Sequence, residues 1–196
     1  MPRKKREESP TGVYHWIARG MHKKDLFHDA LDYQHFRELL IEYKTALDIA
    51  IYHYCFMTNH IHMLLKTDSL DPLIKFSHYI QRRYAYYYCF AHHWVGNVFQ
   101  RGYRSIPVES DTYLLECGRY IERNPIKAGL AKDPADYPYS SFRFYGGAKE
   151  DHLIDVSPAY LGLAATENER MATYIEYTSQ ERLSDNIILL AGQAPF

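Results

Sequence analysis

The residues of this 196-residue chain most suited to chemistry are His60 and His62, in Met57-Thr58-Asn59-His60-Ile61-His62-Met63-Leu64-Leu65. On a strand, residues two apart project from one face, so both imidazoles point one way while Ile61 points into the core. Two parallel imidazoles are half of a metal site. A hydrolytic or transesterifying centre needs a third ligand, open coordination positions and, where water is not the attacker, a protein nucleophile. The run Tyr120-Ile121-Glu122-Arg123-Asn124 offers both. Tyr120 and Asn124 stand four apart, on one helix face, so a phenol and an amide oxygen reach the surroundings of one ion; Glu116, one turn earlier, is an alternative ligand. Eleven histidines make a chance His-x-His pair unsurprising, and a lone tyrosine is more often packing. The two motifs reinforce each other only if strand and helix adjoin.

The elements that must position these residues are legible from periodicity and breakers. Residues 13–18 read as a strand closed by Arg19-Gly20, and Phe36, Leu39, Leu40, Tyr43 and Leu47 mark a helix over 32–47. Strands follow at 49–57 and 60–66, joined at Thr58-Asn59 as a hairpin. Asp71 as N-cap and Pro72 open a helix to about residue 92. A strand over 98–108, interrupted near Gly102, precedes a helix over 112–123 with Asp111 as N-cap, which ends near Asn124 because Pro125 follows. Residues 126–147 are loop-rich, and short helices are expected at 158–164 and 167–181. The order is β-α-β-β-α-β plus a helix, which predicts an α+β, ferredoxin-like fold. Its antiparallel sheet would carry helices on one face and leave the other free for a ligand; a third helix carries Tyr120, and the C-terminal tail is mostly helical.

Composition narrows the function. Hydrophobic residues at 46% and charged residues at 24% exclude collagen-like, low-complexity and wholly disordered chains. No apolar run approaches the ~18 residues of a membrane span, and the basic start lacks the apolar core of a signal peptide, so a cytoplasmic protein without a membrane partner is expected. Cys55, Cys89 and Cys117 fit neither a zinc pattern nor a disulfide framework and read as free thiols. The net charge of −1 divides unevenly: residues 1–149 hold 21 Lys and Arg against 16 Asp and Glu, and residues 150–196 hold 2 against 8. This suggests a flexible basic arm at 1–12, a basic domain at 13–149 that meets phosphates, and an acidic tail at 150–196. Nineteen tyrosines, many beside arginines, add rings able to stack on bases.

From about Gly12 to Tyr145 the chain resembles the HUH endonucleases with one catalytic tyrosine, and among them the REP-associated tyrosine transposases. The blocks that carry the resemblance are Tyr14-His15, Arg19-Gly20, Asn59-His60-Ile61-His62, Phe99-Gln100-Arg101-Gly102-Tyr103, Tyr120 through Leu130 and Tyr137-Pro138-Tyr139-Ser140-Ser141. The resemblance implies a transposase that binds a single-stranded DNA hairpin and cuts beside its foot. His60, His62 and Asn124 would hold Mg²⁺ or Mn²⁺, and Tyr120 would attack the phosphate, giving a 5′-phosphotyrosine link and a free 3′-OH. Arg3, Lys4, Lys5 and Arg6 would form an arm for the DNA, and Arg82, Arg83, Arg101, Arg104, Arg123 and Lys127 would contact its backbone. A monomer is favoured, and a dimer exchanging the tyrosine helix is the alternative. A hairpin-binding protein that does not cut is the competing function. An enzyme of the replication-initiator or relaxase type is a third. The acidic tail is expected to pack over the domain and tune access to DNA.

Overall fold

A computed structural model describes residues 6–147 and 150–180. Its strands are β1 (Val13–Gly20), β2 (Ala50–Phe56), β3 (His60–Lys66) and β4 (Phe99–Val108), and its helices are α1 (Ala30–Ala46), α2 (Leu70–Ala91), α3 (Asp111–Glu122), α4 (Asn124–Lys127), α5 (Phe142–Tyr145), α6 (Pro158–Leu161) and α7 (Glu167–Ser179). The strands form one sheet in the order β2-β3-β1-β4, antiparallel throughout. That order, with α1 and α2 in the two crossovers, is the ferredoxin-like α+β fold that the element order predicts.

Period-two alternation decides what each sheet face buries. Tyr14, Trp16 and Ala18 of β1 join Phe36 of α1 and Leu73, Phe76, Ile80 and Tyr84 of α2 in the main core. Trp16 lies fully buried there, and its Nε1 donates to Ser77 Oγ at 2.9 Å, so the indole is buried without an orphaned donor. The opposite face is not left free. Helix α3 lies across β2 and β3, and Leu114, Cys117, Tyr120 and Ile121 pack on Val13, Leu64 and Val108 in a second, smaller core.

The starts of α1, α2 and α3 fall one or two residues before their expected positions, and at α1 and α3 an earlier side chain reaches the free N–H groups. Asp29 accepts from the Leu31 and Asp32 N–H groups, and Ser110 accepts from Tyr113 N–H. Asp32, expected to open α1, is buried inside it and accepts from Tyr87 Oη at 2.9 Å. Asp71 lies in the first turn of α2, paired with Lys75 at 2.7 Å, and the N-cap position is Ser69. Helix α3 stops at Glu122, and Pro125 sits in the first turn of α4.

Two acidic residues of the tail pair with the domain, while Glu150, Glu167, Glu169 and Glu176 are exposed. Asp151 accepts from Arg37 Nη2 at 2.6 Å and from Tyr54 Oη, while Asp155 accepts from Ile51 N–H at 2.8 Å and Lys44 Nζ at 2.7 Å. Leu153, Tyr160 and Tyr174 are buried in the main core. Residues 150–180 therefore pack onto the sheet and α1. Among the described residues no helix is long and apolar enough to cross a membrane.

Candidate active site

Strand register brings the histidines together. His62 lies opposite Ile17 of β1, His60 opposite Arg19, and His15 opposite Leu64. Because side chains alternate along each strand, His15, Arg19, His60 and His62 share the face that α3 crosses, and Arg104, opposite Ile17 on β4, joins them. Tyr120 descends from α3 onto this group. Its ring stands edge-on to His62, with centroids 5.9 Å apart, and edge-on to His15 at 6.1 Å. Lys127 Nζ, on α4, lies 4.8 Å from the Tyr120 ring centroid. Strand and helix thus adjoin.

Each imidazole is held by one nitrogen. His60 Nδ1 donates to Asn59 Oδ1 at 2.7 Å, and Asn59 Nδ2 in turn donates to Lys23 O at 3.1 Å. His62 Nδ1 shares a hydrogen bond with His15 Nε2 at 2.9 Å. Among the described residues neither Nε2, of His60 or of His62, has a hydrogen-bond partner. Burial, with the Arg104 charge, lowers the His15 pKa to about 3; burial, with the Arg19 charge, lowers that of His60 to about 4. The His62 pKa falls well below its ordinary value through burial first and then the neighbouring His60, His15 and Arg19. All three rings are neutral near pH 7, the state in which an imidazole nitrogen offers a lone pair.

Asn124 sits where α3 gives way to α4. Its Nδ2 donates to Tyr120 O at 2.9 Å and Ile121 O at 3.2 Å, serving carbonyls that the helix end leaves unpaired. Its Oδ1 accepts no hydrogen bond among the described residues. Glu116, the alternative ligand, lies 3.9 Å from Arg119 Nε.

Three comparisons bear on identity. The family profile described as "Transposase IS200 like" matches residues 9–124, more than half of the chain and both motifs. The chain belongs to the IS200-like transposase family. Among solved structures, it is similar to a REP-associated tyrosine transposase bound to a REP hairpin, at 18% identity and a TM-score of 0.64, over 80% of this chain and 96% of that one. It is also similar to a putative transposase from Deinococcus radiodurans R1, at 21% identity and a TM-score of 0.43, over 62% of this chain and 97% of that one. No curated protein sequence matches the chain. An IS200-like transposase is a DNA-cleaving enzyme, so the histidine face is where its chemistry is to be sought.

The donor set of this transposase suits a divalent ion. Two neutral imidazoles are fixed through Nδ1 with Nε2 unengaged, and the Asn124 amide keeps its oxygen unengaged. Among the described residues no three or more His, Cys, Asp or Glu gather as a metal-ligating group, so the set differs from a closed zinc site.

The expected DNA-contact residues scatter over the molecule. Arg104 lies on the histidine face, and exposed Lys127 stands over Tyr120. Arg6 sits 4.4 Å over the Tyr103 ring. Arg82 and Arg83 are exposed on α2, in the layer on the other side of the sheet. Arg123 is buried, with Nη1 donating to Thr178 O and Ser179 O at 2.8 and 3.0 Å, which ties it to the end of α7. Arg3, Lys4 and Lys5 lie outside the described residues, as does the Arg101 side chain.

Sequence reasoning assigned no role to His15 or Arg19. Counting alternate residues from Val13 places both on one face of β1, but only the register shows that this face is also that of His60 and His62. A second polar cluster was equally hidden. His53 Nδ1 meets Glu122 Oε1 at 2.9 Å, Ser141 Oγ donates to the same oxygen, and Tyr174 Oη donates to Oε2 at 2.8 Å.

Proposed function

We propose that this transposase is a metal-dependent single-strand DNA endonuclease and strand-transferase that cuts beside a hairpin through Tyr120. The observation that carries the reading is the meeting of the Tyr120 ring with the His62 and His15 rings, from segments remote in sequence, on one sheet face. Support for a hairpin substrate comes from the solved relative bound to one. His60 and His62, through Nε2, and Asn124, through Oδ1, would hold Mg²⁺ or Mn²⁺. Imidazole ligands favour Mn²⁺ over Mg²⁺, which prefers oxygen donors. Such an ion draws charge from phosphate oxygens, orienting the scissile group and stabilising its transition state.

The chain's own residues do the rest. Tyr120 Oη forms a bond to phosphorus and gives up its proton, the bond from phosphorus to the 3′-oxygen breaks, and that oxygen leaves as a protonated 3′-OH. The 5′-phosphate remains esterified to Tyr120, so attack by a 3′-OH on that ester rejoins strands without ATP. The Lys127 ammonium over the Tyr120 ring, with Arg104 and Arg19 beside the histidines, presents positive charge to an incoming phosphate. Because α3 packs on the sheet of its own chain, the reading is of a monomer acting in cis. Incubating labelled hairpin DNA with Mn²⁺ tests it: a covalent adduct is expected, absent in Tyr120→Phe. Tight binding with no adduct from the unsubstituted protein would show a binding protein instead.

A further inference from the structure

We infer that His15 is a positioning residue: by accepting a hydrogen bond from His62 Nδ1–H, it turns the unprotonated Nε2 of His62 toward the ion that the proposed endonuclease uses. The inference rests on that proposed function and goes beyond it, since His15 touches neither DNA nor metal in it. Its ground is the 2.9 Å contact between His15 Nε2 and His62 Nδ1, made by two rings that are 1% and 5% exposed. A neutral imidazole carries one N–H and one bare nitrogen, so one proton lies between the two facing atoms. Were it on His15, His62 would carry its own proton on Nε2 and could not bind a cation there. With the proton on His62 Nδ1, Nε2 is bare.

The neighbouring ring supports the assignment. Asn59 Oδ1 can only accept, so His60 holds its proton on Nδ1 and presents Nε2 in the same manner. The two rings are thus matched: each is donor through Nδ1 to a dedicated acceptor, one an amide oxygen and the other the imidazole of His15. Outer partners of this kind fix ring orientation and tautomer, and their loss ordinarily weakens metal binding by about 10–100-fold. The position of His15 explains why an imidazole serves. It stands on the strand beside β3, diagonal to His62, at a distance a shorter side chain would not span, and its burial keeps water from competing for the Nδ1 proton.

The test uses the full chain in complex with hairpin DNA, the variants His15→Phe and His15→Gln, and three readouts. Nitrogen-15 histidine NMR of the metal-free protein reports the tautomer of His62. Mn²⁺ titration by calorimetry reports affinity, and hairpin binding without metal reports whether the fold and DNA surface persist. Expected are an Nδ1–H His62 in the unsubstituted protein, a mixture of tautomers in His15→Phe with Mn²⁺ affinity reduced about 10–100-fold, and hairpin binding unchanged. In His15→Gln the amide oxygen is expected to restore much of the Mn²⁺ affinity. An Nε2–H His62 in the unsubstituted protein overturns the inference, and it is readable even if His15→Phe does not fold. Unchanged Mn²⁺ affinity in a folded His15→Phe overturns it as well, leaving the proposed endonuclease standing. Failure of the unsubstituted complex to bind Mn²⁺ brings down the metal-dependent reading itself and with it the role of His15.

Discussion

Two polar clusters share one face of the sheet and flank α3, and they differ in how far solvent reaches them. Around His53 and Glu122 the site is dry and the carboxylate is saturated, although His53 Nε2 is buried without a hydrogen-bond partner. Both residues are 0% exposed, both carboxylate oxygens accept hydrogen bonds, and α7 supplies Tyr174 as a lid. Around His60 and His62 each ring is likewise held by one nitrogen, with the other left without a partner among the described residues, but His60 is only partly buried. The same helix serves both, with Glu122 turned into the closed cluster and Tyr120 toward the histidines two residues away. A buried carboxylate with three donors is rigid, since moving any member strands a charge or a donor. Rigidity at Glu122 therefore holds the Tyr120 phenol, two residues earlier at the same end of α3, in register.

The contrast can be broken most severely at Glu122. Glu122→Ala strands the His53, Ser141 and Tyr174 donors in a dry site, and a loss of about 3–5 kcal/mol in urea unfolding is expected; a loss under about 1 kcal/mol would show that the cluster does not anchor α3. Next comes Gly118, whose missing side chain lets α3 approach β2. A Cβ there would lie 2.8 Å from His53 Nε2, inside the sealed cluster. Gly118→Ala adds helix propensity of about 1 kcal/mol yet forces that contact, so net destabilisation of about 1–3 kcal/mol is expected, and a more stable variant would refute the close approach.

Acid should loosen the tail's attachment. Burial acts to raise the Asp151 pKa, but the hydrogen bonds from Arg37 and Tyr54 and the Arg37 charge outweigh it and hold it below the ordinary carboxylate value. A carboxyl more acidic when folded contributes stability that is complete above its unfolded pKa and is lost as pH falls through the folded one. Asp151→Asn should therefore flatten the fall of the unfolding midpoint below about pH 4; an unchanged slope would assign that acid sensitivity to other carboxylates. The smallest effect on stability belongs to Tyr120→Phe, about 1 kcal/mol or less, although the same change should abolish the DNA adduct. Stability lost without loss of adduct would reverse the roles of the two clusters.

Much of the fold is legible because its signals are local. Alternation fixed β3 at His60–Lys66, and Pro125 limited α3 to Glu122. The start of α1 and the N-caps of α2 and α3 were misplaced because several polar side chains compete for the same turn and geometry chooses among them. In the candidate site, the shared direction of His60 and His62 follows from a spacing of two. That α3 crosses this face does not, since an amphipathic helix has no preference, in sequence, between two apolar surfaces. The acidic tail shows the same limit. That it packs over the domain was expected from its charge, but not that Asp151 and Asp155 would pair with Arg37 and Lys44 of α1.

From its sequence alone, then, this transposase has its alternating strands, its helix stops and its two chemical motifs, all set by residues within a few positions of one another. Tertiary structure alone decided that His15 would meet His62, 47 residues away, and that Glu122 would be sealed by His53 and Tyr174, 69 and 52 residues distant. Hydrogen bonds between buried groups depend on strand register and on which face a helix covers. Both are fixed by the packing of the whole chain, and no local pattern encodes them.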